Sequence, residues 1–114
     1  MKKLIILSAT IFLISCESRT YDEISDQTPL TATVKYVNNV KPIFDANCII
    51  CHSAGGSANF QPLTSYDEVK TNIEEILIRI QKPNGNPLKM PQGGALSQQN
   101  IEIIKKWKAD GLLQ

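Results

Sequence analysis

The segment Cys48-Ile49-Ile50-Cys51-His52 constrains this chain more than any other, because it sets two thiols one helical turn apart and follows them with the only His of the 114 residues. Two intervening residues let both sulfurs reach one flat group, while the adjacent imidazole reaches a metal at that group's centre. Cys-x-x-Cys-His is the attachment signature of c-type haem. Two other chemistries use similar residues. A thiol redox pair needs the Trp or Pro context and βαβ pattern of a thioredoxin-like site, and the sequence has neither. A structural zinc site needs a fourth ligand, and the only other Cys is Cys16.

Cys16 has a role of its own to fill. Lys2 and Lys3 form a short basic start, and residues 4–14 are apolar apart from Ser8 and Thr10, the layout of a secretory signal. Leu13-Ile14-Ser15-Cys16 resembles the lipobox of bacterial lipoproteins. The resemblance implies cleavage after Ser15, a diacylglyceryl thioether on Cys16, and a mature protein held to a membrane outside the cytoplasm by acyl chains. Each buried methylene contributes about 0.8 kcal/mol, so two or three chains anchor stably. The alternatives are an uncleaved short helix, or a secreted protein in which Cys16 is a free thiol. No apolar run reaches the roughly 18 residues that a membrane-spanning helix needs.

Removal of residues 1–15 takes Lys2 and Lys3 away and leaves a slight net negative charge in place of +1. That balance gives no reason to expect nucleic acid as a partner. Residues 16–32 are mixed and polar, include Pro29, and show no sustained apolar period, which reads as a tether. The domain then occupies residues 33–114. About eighty residues make a small core, so a bound group has structural value.

Its pattern is helical throughout. A first helix starts near Asn39 with Pro42 in its opening turn and runs into Cys48. Residues 53–64 hold Gly55-Gly56 and Pro62 and read as a loop. Ser65-Tyr66-Asp67-Glu68 is a capping box, predicting a helix over 66–71 that breaks before a further one at 73–80. Ile73, Ile76, Leu77 and Ile80 share one face of it. Residues 83–87 turn the chain, and Ser97 caps a last helix over 98–109, where Ile101, Ile104 and Trp107 align and Gly111 provides the exit.

Once residues 1–15 are gone, Met90 is the sole remaining Met, in Leu88-Lys89-Met90-Pro91-Gln92-Gly93-Gly94. A thioether opposite the His stabilises ferrous iron and suits electron transfer. Pro91 biases Met90 toward an extended backbone, so its side chain projects from a loop. The alternatives are Lys89 as ligand, an open sixth site, or a Met that merely fills space.

Over residues 40–113 the chain resembles a class I, mono-haem cytochrome c domain. The resemblance is carried by Val40-Lys41-Pro42-Ile43-Phe44, by Cys48, Cys51 and His52, by Met90-Pro91-Gln92-Gly93-Gly94 with Leu96-Ser97, and by Ile104-Lys105-Lys106-Trp107 ending near Gly111. It implies an all-α bundle of about four short helices wrapped around one covalent haem c. Cys48 and Cys51 would carry the thioethers, and His52 and Met90 would ligate the iron. It also implies that the Pro62 carbonyl accepts from the His52 ring. The first and last helices are expected to cross, with Val40 or Phe44 near Ile104 or Trp107. Ser53 follows His52 where many members have Gly.

The implied function is one-electron transfer between a redox protein donor and an acceptor, by a monomer or a subunit of a respiratory complex in the cell envelope, on the periplasmic face or the cell surface. The competing reading is a haem domain with an open or labile sixth site, serving as an accessory oxidoreductase subunit or a small-ligand sensor. No catalytic apparatus is visible, because the single His is committed to iron and Asp67, Glu68, Glu74 and Glu75 read as solvated helix charges. Lys105, Lys106 and Lys108 form a charged stripe that either steers an acidic partner or faces solvent. Arg79 either pairs with a haem propionate or is exposed.

Overall fold

We describe residues 32–114 of a computed structural model of the chain. The segments expected to be a leader, a lipobox with Cys16 and a tether, up to residue 31, lie outside them. Among the described residues the regular structure is entirely helical, which agrees with the all-α expectation. A π-helical turn, Tyr36–Val40, leads into α1 (Lys41–Asn47), and α2 (Tyr66–Thr71), α3 (Ile73–Ile80) and α4 (Gln98–Ala109) follow. No helix among the described residues is long and apolar enough to cross a membrane.

Helix ends lie where the capping residues put them. The Ser65 hydroxyl accepts from the Glu68 N–H at 3.3 Å, and the Glu68 carboxylate accepts from the Ser65 and Thr64 N–H groups at 2.9 and 2.7 Å. Ser97 accepts from the Asn100 N–H at 3.2 Å. The first helix differs from expectation at its start. Pro42 has no N–H for the Asn38 carbonyl, and the turn before it is wide, with the Lys41 N–H donating to the Tyr36 carbonyl. Asn72 separates α2 from α3 by turning its side-chain amide back onto the Glu68 carbonyl at 2.8 Å, a local competitor to the helical ladder.

One core joins these short pieces. It takes Val40 and Phe44 from the first segment, Val69 from α2, the four aligned residues of α3, and Ile101, Ile104 and Trp107 from α4. α4 meets the N-terminal segment at the π-helical turn and packs along α3. The crossing therefore centres on Tyr36, whose ring centroid lies 5.6 Å from Trp107 and 5.4 Å from Tyr66.

The C-terminal tail closes over this aromatic group. Trp107 Nε1–H donates to the Leu113 carbonyl at 2.7 Å, the Tyr66 hydroxyl to the Leu112 carbonyl at 2.8 Å, and the Tyr36 N–H to the Leu113 carbonyl at 2.8 Å. Leu112 takes a left-handed φ of 57°, the geometry that turns both carbonyls toward these donors.

Asp110 ties the two ends of the domain together. Its carboxylate accepts from the Val34 N–H at 2.8 Å and from the Lys106 ammonium at 2.8 and 3.0 Å. The Lys106 hydrogen bond, then the Val34 N–H, hold its pKa below the ordinary carboxylate range. A carboxyl that binds its proton less readily folded than unfolded contributes stability that is complete above its unfolded value of about 4 and is lost as pH falls through the lower folded value. Melting temperature is expected to fall below about pH 4, and Asp110→Asn should flatten that fall while lowering the melting temperature at pH 7. Thermal melts of both proteins from pH 2 to 7 check this. An unchanged acid slope in the variant would remove Asp110 from the account.

Candidate functional site

α1 delivers the thiol segment as one further turn. The N–H of Cys48 donates to the Phe44 carbonyl at 2.8 Å, and the Cys48 carbonyl then accepts from Cys51 and His52 at 3.2 and 3.0 Å. Cys48 faces inward, partly buried against the core, whereas Cys51 is exposed, and both are free thiols. Burial pushes the Cys48 thiol up to about 11. A nucleophilic or disulfide-exchanging Cys needs the opposite displacement, toward thiolate at neutral pH. Among the described residues no group of three or more His, Cys, Asp and Glu side chains converges in a metal-ligating cluster.

The loop of residues 53–63 folds back and binds the last two residues of the segment. Ala58 N–H donates to the Cys51 carbonyl and Leu63 N–H to the His52 carbonyl, each at 2.9 Å. The imidazole is fixed from the same side, with its Nδ1 2.8 Å from the Gln61 carbonyl. The bond requires Nδ1 to carry the proton, which leaves the Nε2 lone pair as the ligating position.

This corrects the assignment of the acceptor. The carbonyl that meets the ring belongs to Gln61, one residue before Pro62. Pro62 acts on the geometry indirectly, because a residue that precedes proline is driven to an extended backbone.

Gly56 is the loop's tightest point. A Cβ there would lie 2.0 Å from the Cys51 carbonyl oxygen, 2.4 Å from its carbon and 2.8 Å from its Cα, all backbone atoms. Its neighbour Gly55 faces open space. Gly56→Ala is expected to cost about 1–3 kcal/mol by overpacking, and Gly55→Ala to stay within about 0.5 kcal/mol. Urea unfolding midpoints of the two variants test the contrast, and equal midpoints would contradict it.

Met90 arrives on the loop between α3 and α4. Its N–H donates to the Arg79 carbonyl at 3.2 Å, and its half-buried side chain packs against the same core cluster as Cys48. Gly85 and Gly93, at φ of 85° and 74°, make the turns on either side. The Lys89 amine donates to the Lys82 carbonyl at 2.6 Å. Arg79 pairs with Glu75 at 2.6 Å. Lys105, Lys106 and Lys108 are each paired with a carboxylate, from Glu102, Asp110 and Glu74 respectively.

Two clefts open near these residues. One of about 670 Å³ is formed by the Met90 loop, residues 84–95, and the other, of about 400 Å³, by Phe60, Gln61, Pro62 and the facing side of α2 with Asn72. Neither is lined by Cys48, Cys51, His52 or Met90. Cys48 and Met90 thus both pack against the one apolar core, and His52 follows Cys51 in sequence with its ring held by the loop.

Gln61, Gly56 and Asn72 were not among the residues that the sequence singled out. The extended bias that Pro62 imposes on Gln61 and the Gly55-Gly56 pair are the signals that point to the first two. No protein-family profile, curated protein or solved structure matches the chain.

Proposed function

We propose that this chain is a mono-haem c-type cytochrome that transfers single electrons in the cell envelope, held to a membrane by lipid on Cys16. The observation that carries the proposal is the state of the one His. In Cys48-Ile49-Ile50-Cys51-His52 the ring donates through Nδ1 to the Gln61 carbonyl, the partnership that raises the basicity of a ligating imidazole and sets its orientation. Two free thiols one turn apart, one against the core and one in solvent, suit attachment of a flat group lying along the core's edge.

Haem bound there supplies an Fe(III)/Fe(II) couple. Cys48 and Cys51 would hold it through thioethers, His52 would offer Nε2 to the iron, and Met90 would offer its thioether as a further ligand. The Lys89 amine is engaged with the Lys82 carbonyl, which favours Met90 over its neighbour. With His52 and Met90 both engaged in this way, the domain would exchange electrons with a redox protein donor and acceptor and would not turn over substrate.

Replacement of Met90 by Ala is expected to lower the reduction potential by an amount on the order of 0.1–0.3 V. Potentiometric titration of both proteins measures it. An unchanged potential would sink Met90 as a ligand and favour a haem domain with an open sixth site.

A further inference from the structure

Gln61 carries two hydrogen bonds at opposite ends. Its main-chain carbonyl accepts from the His52 ring at 2.8 Å, and its side-chain Nε2 donates to Asn72 Oδ1 at 3.1 Å. Asn72 is itself fixed where α2 meets α3. Its side-chain amide donates to the Glu68 carbonyl at 2.8 Å, its N–H donates to the Glu68 and Val69 carbonyls at 3.3 and 3.2 Å, and its carbonyl accepts from Ile76 at 3.0 Å. Residue 61 therefore bridges a rigid helix junction to an otherwise loop-held imidazole. All three side chains are half-buried, and the clamp borders the 400 Å³ cleft, so water competes with the side-chain bond once either partner is lost.

We infer that Gln61 and Asn72 are positioning residues for His52: their side-chain bond holds the Gln61 carbonyl against Nδ1 and so keeps Nε2 unprotonated and aimed as a ligand. The inference rests, for its functional meaning, on the reading of His52 as an iron ligand. The physical logic is that the tautomer of a neutral imidazole is set by the hydrogen bond at its other nitrogen. Loosening the acceptor loosens that choice. Neither residue touches the iron in this scheme, since both act through the imidazole.

Because His52 is the only His of the chain, its ring nitrogens give a single set of resonances in ¹⁵N-labelled protein. The test uses the mature chain, Gln61→Met, Asn72→Ala and the double variant at a pH where the ring is neutral. Met preserves the length of Gln and removes its donor, so Gln61→Met isolates the clamp even where Asn72→Ala weakens the helix junction. In protein without haem, the ratio of Nδ1–H to Nε2–H tautomer is expected to fall about fivefold in each variant, the scale of one weakened hydrogen bond. In ferrous protein carrying haem, exchange of the Nδ1 proton with water is expected to quicken by about the same factor. The double variant should go no further than the stronger single one, since both remove the same link.

A folded Gln61→Met protein with the parent's tautomer ratio or exchange rate would overturn the inference, as would additive effects in the double variant. Haem content, read separately by absorption, reports on the proposed function. Failure of haem to attach therefore counts against that reading, while the ring resonances still decide the clamp.

Discussion

If the chain is the c-type cytochrome proposed, replacement of both Cys48 and Cys51 by Ser is expected to yield a protein from which all haem is extracted on denaturation, whereas the parent chain is expected to keep it through acid and organic solvent. The expectation follows from the chemistry of the motif, since thioethers would survive unfolding and ligation of iron by His52 and Met90 would not. A single Cys51→Ser variant should keep haem through Cys48 alone, with less of the chain matured. Intact mass of the denatured proteins measures both. The competing account of these thiols, reversible dithiol exchange, predicts instead that the double Ser variant loses only a disulfide. The placement of Cys48 weighs against that account. With its thiol pushed up to about 11 by burial, only about one molecule in ten thousand would carry a thiolate there at pH 7. Thiol exchange needs the thiolate.

The second large effect concerns the fold. Trp107→Ala should cost about 3–5 kcal/mol, against a total stability of about 4–12 kcal/mol for a domain of this size. Trp107 is fully buried, its ring lies 5.6 Å from that of Tyr36 and 6.1 Å from that of Tyr66, and its Nε1–H holds the Leu113 carbonyl. Truncation opens a cavity in the core and frees the tail that clasps it. Trp107→Phe keeps most of the volume and gives up the hydrogen bond, so a loss of about 1–2 kcal/mol is expected. Denaturant unfolding of the three proteins gives the ranking. A Trp107→Ala midpoint equal to the parent's would contradict the placement of α4 at the centre of the domain.

The parts of this fold that were legible in the sequence are those set by local chemistry. The Ser65 capping box, the Ser97 cap and the spacing of Ile73, Ile76, Leu77 and Ile80 each act within a turn or two, and the helices begin and bury faces accordingly. The π-helical turn was not legible. Pro42 marks the opening of the first helix, but no local signal announces the wide bond from the Lys41 N–H to the carbonyl of Tyr36, whose ring packs on Trp107 far along the chain. The tail clasp was missed for the same reason, because nothing local to Leu112 and Leu113 announces that Tyr66 and Trp107 will donate to their carbonyls.

At the site, residue types were legible and backbone partners were not. Cys48, Cys51, His52 and Met90 stand out because they are scarce. A carbonyl acceptor can belong to any residue, and the loop's register decides that Gln61, not Pro62, meets the imidazole. Asn72 reads in sequence as a mere helix break, and its second bond to Gln61 appears only when residues 61 and 72 are brought together. The charged stripe over Lys105, Lys106 and Lys108, which the sequence leaves between steering a partner and facing solvent, has each amine paired with a carboxylate. The exposed Lys105–Glu102 and Lys108–Glu74 pairs contribute little stability, and all three pairings reduce the field available to steer a partner.

The most direct measurement is an absorption spectrum of the mature protein, oxidised and reduced, after production in a host that carries c-type haem maturation machinery. The account predicts sharp c-type bands on reduction and the weak far-red charge-transfer band of Met-ligated ferric haem on oxidation. Protein that matures under those conditions without any haem absorbance would contradict it.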